Sequence, residues 1–178
     1  TVVADQYGFI CAAYTPDGDA TGLVYEMALF ATISPAVNSS VLSQLMLLRM
    51  KDILLPISDW LQTPGPLRDN ERFFFDVAGK ISHICLDCDT FVGRFRRMRR
   101  SLEISCFAFV SSFKERLELR VQCEEGILCR PVIVAERYHE IERSHSLQQL
   151  LAQGIAEYVS VGEASTLCRF AVSEKDVV

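Results

Sequence analysis

The stretch Tyr7-Gly8-Phe9-Ile10-Cys11-Ala12-Ala13-Tyr14-Thr15-Pro16-Asp17-Gly18-Asp19-Ala20-Thr21-Gly22-Leu23-Val24 decides how the rest of the chain is read. It opens on an apolar run, residues 9–13, breaks at Thr15-Pro16-Asp17-Gly18, and returns to apolar sequence at Gly22-Leu23-Val24. Proline holds φ near −65° and suits the second position of a turn, while glycine takes a positive φ at no steric cost. The pattern predicts a tight, rigid turn over residues 15–18 between two buried segments, with Asp17 and Asp19 at its tip.

Outward from that turn, residues 22–34 are apolar enough for a strand or a buried helix, and periodicity does not separate the two in so short a run. Asn38-Ser39-Ser40 supplies cap oxygens for a helix over residues 41–54, which Pro56 should end. A short helix carrying the single tryptophan, Trp60, is expected over residues 58–61. Thr63-Pro64-Gly65-Pro66 is irregular and marks an internal boundary. Beyond it, residues 72–77 and 80–85 flank Ala78-Gly79 and predict a hairpin. Asp89-Thr90 should cap a helix to Arg100, with Phe91, Phe95 and Met98 as its apolar stripe. Residues 117–121 alternate as a half-exposed strand does, and Glu124-Glu125-Gly126 turns into a strand over residues 127–134. Pro131 places that strand at an edge or a bulge. Residues 135–145 are polar and exposed. Ser146 caps a helix over residues 147–152 that Gly154 terminates, and a further strand follows over residues 155–161.

Composition bounds the class. The 178 residues are 49% apolar and 23% charged, which suits a packed core and argues against disorder. A net charge of −5 does not suit a free-standing nucleic-acid binder, so any phosphate contact must be local. Cys11, Cys85, Cys88, Cys106, Cys123, Cys129 and Cys168 are irregularly spaced and odd in number. They read as reduced thiols of the nucleus or cytoplasm rather than a secreted disulfide framework. No signal peptide is read at the N-terminus. The longest apolar run, residues 41–55, is broken by Ser43, Gln44, Arg49, Lys51 and Asp52, short of the ~20 residues a bilayer requires. No membrane partner is expected.

The quoted stretch resembles the fork region of the second-largest subunit of multisubunit DNA-dependent RNA polymerases, which reads G-x-x-C-P-x-E-T-P-E-G-x-x-x-G-L-V. Thr15, Pro16, Gly18, Gly22, Leu23 and Val24 match, and Asp17 is a conservative change. Tyr14 replaces the family's Glu, Ala12 its Pro, and Tyr25-Glu26 its Lys-Asn. Further blocks follow in the family's order. Phe73-Phe74-Phe75 and the glycine turn look like its strand–Asn-Gly–strand hairpin. The 94–100 helix resembles one ending in L-R-R-x-x-x-I. Glu125-Gly126-Ile127-Leu128-Cys129-Arg130-Pro131-Val132 is similar to D-x-G-R-x-x-R-P-L. Leu150-Leu151-x-x-Gly154-Ile155-x-Glu157-Tyr158-Val159 is similar to L-L-x-x-G-x-I-E-Y-I-D. The wording near the start leans to one nuclear polymerase type and that near Gly154 to another, as a fast-diverging or viral enzyme would show.

The resemblance implies an α+β segment of mixed short sheets, hairpins and a few helices. It has two small subregions, a fork-like 1–62 and an external-domain-like 68–178, joined near residues 63–67. It further implies DNA-templated RNA synthesis by a nucleotidyltransferase that uses Mg²⁺, held mainly by the largest subunit. The expected partners are that subunit, the remainder of the second-largest subunit, DNA template and RNA. The lysine-bearing hybrid-binding blocks should follow beyond Val178. No catalytic residue and no bound metal are expected in the segment itself, which should have no turnover alone. Thr15, Pro16, Asp17 and Gly18 would lie nearest the chemistry.

The other chemistry-bearing groups are weighed on their residues. Asp17 and Asp19 on one turn resemble a Mg²⁺ site, yet Asp-Gly is a common turn pair and magnesium recruits further ligands from elsewhere. Cys85-x-x-Cys88 lacks a second ligand pair, so buried thiols are expected. His139, Glu140, Glu142 and His145 match no ligand spacing and read as a solvated loop. Arg94, Arg96, Arg97, Arg99 and Arg100 suit bidentate phosphate contacts, against the plainer alternative of solvation or pairing with carboxylates. Two other functions stay open: a diverged, non-catalytic protein-interaction module, and a Mg²⁺-dependent hydrolase built on Asp17 and Asp19.

Overall fold

The computed structural model describes residues 6–14, 16, 18–20, 22–62, 73–141 and 146–168. In chain order the elements are β1 (Thr32–Ile33), α1 (Ser39–Arg49), β2 (Leu54–Pro56), α2 (Ile57–Gln62), β3 (Phe73–Val77), β4 (Lys80–Cys85) and α3 (Cys88–Arg100). There follow β5 (Phe109–Phe113), β6 (Glu118–Gln122), β7 (Leu128–Ile133), α4 (Leu147–Ala152), β8 (Ala156–Ser160) and α5 (Val161–Leu167). The class is α+β, as expected.

Two sheets carry the fold. The larger runs β2-β4-β3-β6-β5 and is antiparallel except where β3 lies parallel to β6, with Phe74 opposite Glu118. The smaller runs β1-β7-β8, antiparallel throughout. The hairpin over residues 73–85 forms as read. Ala78 (φ 51°) and Gly79 (φ 78°) both adopt the left-handed conformation that a two-residue hairpin turn demands.

Helix α3 lies on the larger sheet through Phe91 and Phe95. Phe75 and Phe91 meet at 5.2 Å between ring centres, and Phe91 stacks on Phe95 at 6.2 Å. Leu42, Met46 and Met50 join the same core as Phe73, Phe75, Leu119 and Val121, so the apolar interior runs from α1 through to β6. Edge strand β2 belongs to that sheet too, through Leu54 opposite Cys85.

Three boundaries differ from the sequence reading. Helix α1 ends at Arg49, not at residue 54, and the chain turns extended before Pro56. Ile53 and Leu54 are both buried, Ile53 in the turn after the helix and Leu54 in β2, where it pairs with Cys85 of the larger sheet. The cap of α3 is Asp87 rather than Asp89-Thr90: its carboxylate accepts from Thr90 N–H at 2.9 Å and from the Thr90 hydroxyl at 2.6 Å. Residues 22–31 are neither strand nor buried helix, and only Thr32–Ile33 pair. The irregular stretch 63–67 lies outside the described residues.

Strand β7 has β1 beside it only at Leu128 and Cys129, so at Pro131 it is a free edge on that side, as the missing N–H requires. The cap of α4 is a reciprocal box between Ser146 and Gln149, and Gly154 follows with φ +69°. Helix α5 was not anticipated.

Candidate functional site

Residues 6–28 form a loop that closes on itself. Cys11 N–H donates to the Glu26 carbonyl at 2.8 Å and Ala28 N–H to the Phe9 carbonyl at 3.0 Å, with Ile10 and Met27 bridged antiparallel between them. Beyond this pinch lies the turn. Pro16 is half-buried, Gly18 (φ +77°) opens a 3-10 turn over Gly18–Ala20, and Asp19 is exposed. Thr15 and Asp17 lie outside the described residues.

The flanks of the turn are not buried segments. Tyr14, Leu23, Val24 and Tyr25 are all exposed, and of the apolar run 9–13 Phe9 alone is buried. Apolar composition registers a demand for burial without saying which surface meets it, and here this chain does so at one position.

That position is built from two strands and a helix, β7, β8 and α5. Phe9, 1% exposed, packs with Val159, Ala164, Leu128 and Val132. The Arg130 guanidinium lies over its ring, 5.2 Å from the centre. A cation so placed contributes about 0.5–2 kcal/mol, more as water is excluded. Gly8 (φ +80°) makes the room: a Cβ there would come within 2.8 Å of Arg130 Cζ.

The five arginines of α3 separate. Arg99 is 1% exposed and its five donors are all engaged. Nη1 donates to the Ala108 carbonyl (3.0 Å) and to Glu163 Oε2 (2.7 Å). Nη2 donates to Glu157 Oε2 (2.7 Å) and Glu163 Oε1 (2.8 Å), and Nε to Glu157 Oε2 (3.2 Å). Burial alone would pull Arg99 down, but the charges and hydrogen bonds of Glu163 and Glu157 outweigh it and raise its pKa. Arg100 pairs with Glu157 at 2.7 Å and Arg96 with Glu163 at 3.1 Å. Arg94 forks onto Asp52 at 2.7 and 2.8 Å. Arg97 is exposed, its Nε reaching the Gly93 carbonyl at 3.4 Å.

Arg99 therefore follows the plainer alternative, pairing with carboxylates: its guanidinium is enclosed by Glu157, Glu163 and the Ala108 carbonyl. A signal for this was present, since residue 99 continues the i, i+4, i+8 series of Phe91 and Phe95. Glu163, which the sequence reading missed, stands in Ser160-x-x-Glu163, the spacing of a capping box. Its N–H does bond Ser160 Oγ at 3.2 Å, but its carboxylate turns inward to Arg99.

Burial pushes the Cys85 thiol up to about 12, and the Cys88 thiol lies 3.5 Å from Ser112 Oγ. His139 meets Tyr138 edge-on, and Glu140 is paired with Arg137. Glu142 and His145 lie outside the described residues. Among the described residues no group of three or more His, Cys, Asp or Glu is arranged to hold a metal ion. A polar cleft of about 660 Å³ opens at the start of α3, between Asp87, Cys88, Lys114 and Thr166.

Comparison with known proteins places the geometry. The family model described as RNA polymerase Rpb2, domain 3, matches residues 1–33, and that described as RNA polymerase Rpb2, domain 4, matches residues 76–136. The chain is 29% identical over 162 residues to DNA-directed RNA polymerase D subunit 2b of Arabidopsis thaliana, covering 89% of this chain and 14% of that one. It is 27% identical over 185 residues to DNA-directed RNA polymerase III subunit RPC2 of Schizosaccharomyces pombe, covering 98% and 15%. The Saccharomyces cerevisiae subunit of the same name is 27% identical over 184 residues, covering 97% and 15%. The chain thus spans about one seventh of the length of the curated relatives it matches. The loop lies in the first matched domain and helix α3 in the second, and the chain is a segment of the RNA polymerase second-largest subunit family.

Proposed function

We propose that the chain works in DNA-templated RNA synthesis as the part of the second-largest subunit that brings a fork turn, Thr15-Pro16-Asp17-Gly18, to the edge of the active centre. The observation that carries this is the loop itself. The block of sequence most like the family's fork stands outside the core, on a loop closed by its own backbone and seated by Phe9. A turn so mounted supplies fixed geometry beside a reacting nucleotide, where position alone is worth orders of magnitude in rate.

The region from β3 onward gives rigid surface to partner subunits or downstream DNA. Arg97 is its exposed cation on α3, while Arg94, Arg96 and Arg100 are committed to carboxylates first. Nucleotidyl transfer in this family draws on Mg²⁺, but the described residues around Asp19 bring no set of oxygens to hold it. The chain's part is positional, and its setting is the nucleus.

The test is Pro16→Gly with Asp17→Ala in the whole assembled polymerase, with elongation rate as the readout. Slower elongation by intact complexes is expected. Unchanged elongation removes the positional role and favours a diverged, non-catalytic interaction module, to which the exposed Leu29 (90%) and Phe30 (71%) would lend a contact surface.

A further inference from the structure

We infer that Arg130 is a positioning residue for the 15–18 turn, acting through Phe9 and Gly8; this rests on the fork reading and refines it. Strand β7 seats both legs of the loop. The outgoing leg ends in β1, where Thr32 pairs with Cys129 and Ile33 with Leu128. Ser34 then secures it, its N–H donating to the Ile127 carbonyl at 2.9 Å and its hydroxyl to the Glu124 carbonyl at 3.0 Å. Among the described residues the incoming leg makes no ladder with β7. It is held by side chains, and its seat is Phe9.

The period of the strand shows how. Leu128, Arg130 and Val132 alternate on one face of β7, and Val159 stands opposite Arg130 in β8. Phe9 packs on Leu128, Val132 and Val159, with the Arg130 guanidinium over its ring. Gly8, beside it, has no Cβ where Arg130 passes. The pinch between residues 9–11 and 26–28 ties the two legs to each other but does not orient them on the sheet. The Gly8–Phe9–Arg130 contact does, and the turn is carried at the far end of what it orients.

A planar guanidinium stacks on a ring and a lysine ammonium does not, so Arg130→Lys keeps the charge and loses the clasp. Phe9→Leu keeps an apolar seat and loses the ring. Gly8→Ala drives a methyl into Arg130. Each is placed in the full subunit within the assembled polymerase. Single-nucleotide addition is followed in one turnover on stalled complexes, normalised to active sites, with the misincorporation ratio measured alongside. A loss confined to folding or assembly lowers the active fraction and leaves both normalised readouts in place.

Arg130→Lys and Phe9→Leu are expected to slow normalised addition about tenfold, with the apparent KM for nucleotide within about twofold and the misincorporation ratio changed. Combined with Pro16→Gly, neither should slow it further, since both act through one turn. Full-rate Arg130→Lys and Phe9→Leu enzymes beside a slow Pro16→Gly enzyme overturn the clasp and leave the fork reading intact. Effects that multiply with Pro16→Gly overturn it too. Full rate in all of them, Pro16→Gly included, overturns both.

Discussion

The loop of residues 6–31 and the junction of α3, β8 and α5 solve opposite problems with similar residues. The junction sets one buried arginine, Arg99, and two half-buried ones, Arg96 and Arg100, against two buried glutamates, so its charges are answered from within the chain. The loop buries Phe9 but leaves Tyr7, Leu23, Leu29 and Phe30 between 71% and 90% exposed, so most of its large apolar side chains are left uncovered among the described residues. Among the described residues one region is finished internally and the other is not. Stability should accordingly reside in the junction, and function in the loop.

The strongest test of that division is removal of a carboxylate from the junction. Glu163 is wholly buried and accepts from Arg96, Arg99 and the Val110 N–H. Glu163→Ala leaves the Arg99 cation enclosed with only Glu157, and should lower unfolding free energy by about 3–5 kcal/mol in urea titrations. Glu163→Gln keeps the shape and one acceptor and should cost about 1–3 kcal/mol. An alanine variant within about 1 kcal/mol of wild type would mean that water reaches Arg99 and that the junction is not the stabilising half.

This division was only half legible in the sequence. The hairpin of residues 73–85, the stripe of α3, the Ser146 cap and Gly154 are local signals, and each gave its element in place. The likeness to the polymerase second-largest subunit was likewise readable, because motif spacing survives divergence. Burial of Arg99 was not read, since a basic run looks solvated until its carboxylates arrive from residues 58 and 64 positions away. Exposure of the loop was not read for the reverse reason: composition reports that Leu23 and Val24 want cover, not where the cover comes from. The role of Arg130 needed the fold, since Gly8 and Arg130 are distant in sequence and meet only through β7.

The same substitution at two glycines sharpens the comparison. Gly154 and Gly22 both hold a positive φ, +69° and +81°. A Cβ at Gly154 would lie 2.8 Å from the Arg100 carbonyl oxygen, whereas at Gly22 it would meet nothing within 4 Å. Gly154→Ala should therefore cost backbone strain plus a clash with rigid helix backbone, about 2–4 kcal/mol. Gly22→Ala should cost the strain alone, about 1 kcal/mol. Equal costs would show that the loop is as tightly packed as the junction.

Acid titration separates two buried carboxylates. Burial works to raise Glu157, but the charges and hydrogen bonds of Arg99 and Arg100 prevail and hold it below its ordinary 4.5. Its stabilising contribution is complete above that value and is lost as pH falls through the folded pKa. Asp76 is raised above 3.8, chiefly by burial, with Arg120 3.4 Å away as a partial offset. Its contribution is complete below 3.8 and is lost as pH rises through the folded pKa. Glu157→Gln should flatten the acid limb of a stability–pH curve, while Asp76→Asn should compare more favourably with wild type at pH 7 than at pH 3. Parallel curves for wild type and Glu157→Gln would detach Glu157 from the arginines.

The smallest effect is the most telling about the loop. Leu29 and Phe30 are 90% and 71% exposed in a chain whose core is elsewhere. Replacing both by serine removes little packing within the described fold, so the urea midpoint of the 178-residue chain should move by no more than ~0.5 kcal/mol equivalent, while its solubility rises. In the assembled polymerase the same pair should weaken retention of the subunit, because exposed apolar surface that survives in a folded chain is ordinarily covered by a partner. Co-purification under rising salt reads this directly. Loss of stability in the isolated chain, with retention unchanged, would place the cover within the chain and erase the distinction between the two regions.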